Sequence, residues 1–127
     1  MNLAATTEMI RGVLGGAADP NVTFWASYHD IDQNGKVTYG NKYTAGNGTT
    51  EVNIVAAPGE VTQRVVDSII CYNGDNTTAT VTVSFYDGTN EPKLIVMALA
   101  TLTHLQYERG RGWFVMDAVG KLKVEVA

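Results

Sequence analysis

The side chains of this sequence that could do chemistry are few and scattered. His29 and His104 are the only imidazoles and Cys71 the only thiol, so neither a histidine-rich nor a cysteine-based metal site can be assembled. The run Asp30-x-Asp32-x-Asn34-Gly35 matches the opening of a calcium loop, with oxygen donors at alternate positions and a glycine for the sharp turn. The closing ligand fails, because the position that requires a bidentate glutamate is Asn41. Asp, Asn and Gly also gather in plain turns, where they hydrogen-bond their own backbone, and a turn is the expectation here. The pairs Asp30/Asp32 and Asp87/Glu91 have the residue types of a glycosidase acid and base, but carboxylates near turns are usually solvated. Glu108-Arg109-Gly110-Arg111-Gly112-Trp113 brings arginines, glycines and an aromatic ring together, as a phosphate or nucleic-acid contact would, yet its composition is that of a turn between two strands. No serine-histidine-aspartate order with a nucleophile elbow, no Walker loop and no dinucleotide fingerprint is present. The expectation is a protein without catalytic residues, cofactor or metal: not an enzyme.

Charge and composition narrow the class. Nine basic against thirteen acidic residues give net −4, the wrong sign for affinity built on neutralising phosphates, so nucleic acid is not an expected partner. Only 17% of residues are charged; the place of the missing charges is taken by Thr, Asn, Ser and Gly, which suits pleated strands and turns. The 127 residues fit one domain with its own core. The start has no basic segment followed by an apolar stretch, and the longest apolar runs, such as Leu94-Ile95-Val96-Met97-Ala98-Leu99-Ala100, are far shorter than the ~20 residues of a membrane helix. A soluble chain without membrane contact is expected. Cys71, within an apolar run, reads as a small core side chain.

The elements follow from period-two runs separated by turn residues. In Val22-Thr23-Phe24-Trp25-Ala26-Ser27-Tyr28-His29, the first, third, fifth and seventh residues share one face and Thr23, Trp25, Ser27 and His29 the other. Residues 50–56 alternate likewise. Residues 64–72 are apolar on both faces at several positions and read as a central strand covered on both sides. After Asn73-Gly74-Asp75-Asn76, residues 77–86 alternate again, which predicts a hairpin with the preceding strand. Further strands are expected at 93–99, 103–107, 112–116 and 121–126. Residues 7–14 fit a short helix or, given Gly12, Gly15 and Gly16, an extended segment; residues 1–20 fit an N-terminal arm. The polar stretch 30–48 reads as a long exposed hairpin or loop, the place where recognition is expected. The fold class is therefore all-β: an antiparallel two-sheet sandwich of nine or ten short strands, jelly-roll-like.

Several of these runs carry a resemblance. Thr62-Gln63-Arg64-Val65-Val66-Asp67-Ser68-Ile69 with Tyr72-Asn73, then Thr78-Ala79-Thr80-Val81-Thr82-Val83, then Leu102 with Leu105-Gln106-Tyr107, and Gly112-Trp113 with Asp117-Ala118-Val119-Gly120, resemble small virion structural proteins of tailed bacteriophages. An N-terminal strand at 10–14 and the aromatic strand Phe24-Trp25-Ala26-Ser27-Tyr28 belong to the same pattern, while Arg111-Gly112 stands where that pattern has two glycines. The resemblance implies a β-sandwich in the virion, made in the host cytoplasm, that assembles with copies of itself. It points to a capsid decoration (cement) protein, as a homotrimer, on a major capsid or tail protein. The alternative is a carbohydrate- or receptor-binding module of a tail or head fibre that uses the 30–48 loop with Tyr39 and Tyr43.

Strand edges in such a sandwich must be protected or used in assembly. Trp25, Leu94 and Val96 are the candidates for self-association. Trp25 is an anchor if exposed and an ordinary core aromatic if covered, and the same alternative holds for Trp113.

Overall fold

A computed structural model describes residues 1–16 and 21–126, and among these described residues there are eleven strands and no helix. These are β1 (Asn2–Leu3), β2 (Met9–Leu14), β3 (Val22–Asp32), β4 (Val37–Ala45), β5 (Val52–Val55), β6 (Thr62–Asn73), β7 (Ala79–Tyr86), β8 (Lys93–Leu99), β9 (His104–Glu108), β10 (Gly112–Met116) and β11 (Leu122–Val126). They build a two-sheet antiparallel sandwich. The larger sheet runs β11-β10-β9-β6-β3-β4 with β1 also on β6, and the smaller runs β5-β2-β7-β8. The sandwich stands; nothing in the strand order adds a jelly roll to it. Residues 9–14 are extended rather than helical, and β2 lies inside the smaller sheet between β5 and β7. Of the stretch read as an arm, residues 17–20 lie outside the described residues.

The inward faces are those the alternation gives. Val22, Phe24 and Ala26 of β3 are fully buried and Tyr28 packs at the margin of the core. Opposite them stand Ile10, Ile54, Val81, Val83 and Leu99 of the smaller sheet, and beside them in their own sheet lie Ile69, Leu105, Trp113 and Val115. Trp113 is thus a core residue. Gly12 sits in the inward row between Ile10 and Leu14, and a Cβ there would stand 2.8 Å from the Phe24 ring and from Ile54 Cδ1. The ring of Phe24 fills the place a side chain at Gly12 would need, so the two sheets close to packing distance only because that residue is glycine. Cys71 is buried, and burial pushes its thiol pKa up, which keeps it an inert core side chain.

Two sequence expectations need correction. The strand pair flanking Asn73-Gly74-Asp75-Asn76 is not a hairpin: β6 belongs to the larger sheet and β7 to the smaller, so this turn is a corner that carries the chain between layers. Asn73 makes the corner. Its side chain is fully buried and Nδ2 donates to the carbonyls of Thr77 (2.9 Å), Leu99 (2.9 Å) and Ala100 (3.4 Å), while Oδ1 accepts from the Asp75 amide at 3.0 Å. Its backbone adds a bond to Thr103 and one from Leu102. The stretch 30–48, read as a long exposed hairpin or loop, is an exposed hairpin: after the turn at Asp32–Lys36, β4 returns antiparallel to β3 from Ile31↔Val37 to Thr23↔Ala45. Strand β6, read as covered on both sides, is central in its sheet but has only one face on the core; its apolar residues on both faces reflect a bulge. Ser27 pairs with Ser68 and Tyr28 with Val66, so Asp67 is the extra residue, and the inward and outward positions exchange there.

One long side of the sandwich is stitched shut by Lys42 Nζ (2.7 Å) and Thr44 Oγ1 (3.3 Å), both donating from β4 to the Asn53 carbonyl of β5. On the opposite side β8 is the outermost strand of the smaller sheet.

Candidate functional site

The outer face of the larger sheet carries the side chains the core does not use. Because paired residues share a face, the register sets Tyr43, Trp25, Ile70, Gln106 and Phe114 in one row across β4, β3, β6, β9 and β10. Trp25 is 44% exposed, so it is a surface residue, and its ring meets that of Tyr43 with centroids 6.2 Å apart. Phe114 at the other end of the row is covered by the Arg111 guanidinium, 3.8 Å above its ring. Arg111, one of the two arginines of the Glu108–Trp113 run, therefore caps an aromatic side chain.

Further along β3, beyond the bulge, His29 and Tyr39 are cross-strand partners with ring centroids 5.8 Å apart. The bulge residue Asp67 turns its carboxylate to this side. His29 Nδ1 lies 2.7 Å from Asp67 Oδ2, and Arg109 Nε donates to Oδ1 at 3.0 Å while the Arg109 amide donates to the Asp67 carbonyl at 2.9 Å. With Val37 and Glu108 these residues line an open depression of about 450 Å³, within the ~300–1,000 Å³ usual for small-ligand sites. Its lining contains two rings, two carboxylates and a guanidinium, and no serine, threonine or cysteine. Such a set can orient hydroxyl groups and stack against a flat ligand face. The imidazole is held by a carboxylate but has no nucleophile to activate within the lining.

The other residues singled out in the sequence are separated. Asp30 is bonded bidentately to Arg64 (2.8 and 3.0 Å), whose guanidinium also covers Tyr28. Asp32 ends β3 and accepts the amides of Asn34 and Lys36, and Gly35 takes a positive φ of 80°, so this run is the β3–β4 turn. Asp30 and Asp32 thus serve different partners. Asp87 accepts the amides of Thr89 and Asn90 in the turn before β8, whereas Glu91 stands near Arg11, whose guanidinium bonds Glu51. Burial, with the nearby Glu51, raises the Glu91 pKa. His104 stacks on Tyr72 at 4.8 Å, well away from His29.

Leu94 and Val96 point outward from the smaller sheet, 38% and 50% exposed, and Leu94 is the extra residue of a bulge opposite Val83 and Ser84. They are on the opposite outer face from Trp25, so the three self-association candidates form two surfaces and not one. Sequence reasoning missed the His29–Asp67–Arg109 group entirely. Its only local trace is the broken alternation at Val65-Val66, which marks a bulge. No protein family matches the sequence, and neither a curated protein nor a solved structure matches the chain.

Proposed function

We propose that this protein is a non-enzymatic bacteriophage virion structural protein, a capsid decoration (cement) protein that stabilises the head by assembling with copies of itself as a trimer. One observation carries the reading: apolar side chains are left in solvent on both outer faces of one sandwich, Trp25 with Tyr43 on one and Leu94 with Val96 on the other. A patch that meets a different patch on the next copy makes a heterologous contact, and where the rotation between copies closes, such contacts form rings of three or more rather than two-fold dimers. The outermost strand β8 has a free edge beside Val96, where pairing with another chain adds backbone hydrogen bonds. The resemblance of residues 62–120 to virion proteins supports the location.

Light scattering on the purified protein at tens of micromolar tests this. A trimer mass is expected, with Trp25→Glu and Val96→Glu each lowering it without loss of the β spectrum, because both side chains are surface groups. A monomer for the wild type, or a trimer that neither substitution weakens, would overturn the assembly proposed.

A second reading, a carbohydrate- or receptor-binding module of a tail or head fibre, is favoured by the exposed rings of Tyr39 and Tyr43 on β4 beside the His29–Asp67–Arg109 group. It uses one face only and requires no ring.

A further inference from the structure

The depression beside the β6 bulge is chemically unlike the rest of the surface. Tyr39, 80% exposed, lines it with its ring tilted against His29, together with Val37, Asp67, Glu108 and Arg109. We propose that this depression binds a neutral saccharide, with Tyr39 as the stacking platform and Asp67, Glu108 and Arg109 as the hydroxyl-binding groups. The inference rests on the receptor-binding reading and names its ligand and site.

The chemistry of the lining selects the ligand. A pyranose presents C–H groups on one face and hydroxyls around its edge, so it needs an aromatic ring below and mixed donors and acceptors at the side. Carboxylates only accept and guanidinium only donates, and a hydroxyl can answer either. An anionic ligand fits poorly, because it would meet two carboxylates against one guanidinium, and that guanidinium is already held by Asp67 at 3.0 Å. The overall charge of −4 acts in the same sense and disfavours phosphates and acidic glycans. Preorganisation is provided by the bulge: the Asp67 carboxylate is fixed from two sides by His29 and Arg109 before any ligand arrives.

A longer ligand has a second platform. Tyr43 lies four residues from Tyr39 on the same face of β4, roughly 13 Å along the strand, and carries Trp25 beside it. A short oligosaccharide laid along β4 would reach both. Asn41, between them in the same row, offers an amide to its hydroxyls.

The test is a titration of the ¹⁵N-labelled protein, followed by amide shifts. The ligands are neutral oligosaccharides of glucose, galactose, mannose and N-acetylglucosamine, and separately sialylated and sulfated ones. The expected result is saturable shifts centred on residues 29, 37, 39, 67, 108 and 109 with at least one neutral oligosaccharide. Tyr39→Ala and Glu108→Gln should each weaken that binding roughly three- to tenfold, the loss of one stacking or hydrogen-bond contact. Thr80→Ala, on the outer face of the smaller sheet, should leave it unchanged. Absence of shifts with every neutral saccharide at millimolar concentration, or binding confined to acidic ones, would overturn the proposal. Saturable shifts elsewhere on the molecule, indifferent to both substitutions, would remove this site while leaving the receptor-binding reading in place. Tyr39 and Glu108 are exposed, so the variants keep the fold, which their unshifted core amides will show.

Discussion

Replacing Asn73 by alanine should cost more than any surface change in the molecule. The native amide is fully buried and joins β6 to the start of β7, the end of β8 and the loop before β9. Truncation leaves the Leu99 carbonyl buried without this donor and takes partners from the Thr77 carbonyl and the Asp75 amide, which water can partly reach. A buried group left unsatisfied costs about 1–3 kcal/mol and each lost, replaceable bond about 1 kcal/mol, so the total is about 3–5 kcal/mol. Against a domain stability of about 5–15 kcal/mol this is a large share. For a chain of this size it corresponds to a melting temperature lower by about 10–20 °C. The assay is urea unfolding followed by tryptophan fluorescence, where the midpoint should fall while the slope stays unchanged. Asn76→Ala, an exposed asparagine in the same corner, is the control and should stay within about 0.5 kcal/mol of wild type. Asn73→Asp sharpens the test: its carboxylate would face the carbonyls now bonded by Nδ2, so it should be worse than alanine at neutral pH and recover in acid, where protonation restores one donor. A loss below about 1 kcal/mol for Asn73→Ala would refute the role assigned to the corner.

Other outcomes follow from local geometry. Val61 is 71% exposed with a φ of +50°, a conformation costly for a β-branched residue, so Val61→Asn or Val61→Gly should raise stability by about 1 kcal/mol in the same urea assay. A loss of stability would show that the Val61 side chain has a packing role. Amide donation from Asn90 and Thr89 holds the Asp87 carboxyl below its ordinary pKa. Its contribution to stability is therefore present above the ordinary carboxylate range and disappears as pH falls through the depressed value. The midpoint difference between wild type and Asp87→Ala should shrink in acid, and a difference independent of pH would contradict it.

Where one face of a strand meets the core, the sequence predicts it well. Val22, Phe24 and Ala26, and Val81 and Val83, alternate with polar neighbours and are all buried. Strand β4 is legible only as part of an exposed hairpin, because it lies at the sheet edge with no residue fully buried and its run Val37-Thr38-Tyr39-Gly40-Asn41-Lys42 carries no alternation of apolar and polar residues. The corner at Asn73 was misread for a different reason. Asn-Gly is a hairpin signal when positive φ closes a two-residue turn, but Gly74 is not among the positive-φ glycines here, and the partners of Asn73 at Leu99 and Ala100 are distant in sequence. Trp25 illustrates a third limit: alternation put it opposite Phe24, and only the absence of a second layer on that side made it a surface residue.

The candidate site was the least legible part because its residues come from four strands, β3, β4, β6 and β9, joined only by register. His29 meets Asp67 across the β3–β6 ladder, and Arg109 reaches Asp67 by continuing β9 one residue past Glu108. Without the bulge the inward row of β6 would run on from Cys71 and Ile69 to Asp67 and Val65, with Val66 turned outward. With it, both valines are buried, Val65 beside β1 and Val66 on the core, and Asp67 is left out of the Cα pairing. One inserted residue thus changes a central strand from a uniform ladder into a frame for a carboxylate. The energetic asymmetry is clear, since the added residue gives up a ladder position in the best-paired strand of the sheet, a loss that two side-chain bonds to an acid only partly offset. What the bulge does in return is place the Asp67 carboxylate 2.7 Å from His29 Nδ1 and 3.0 Å from Arg109 Nε, tying β3 and the end of β9 to the middle of the sheet.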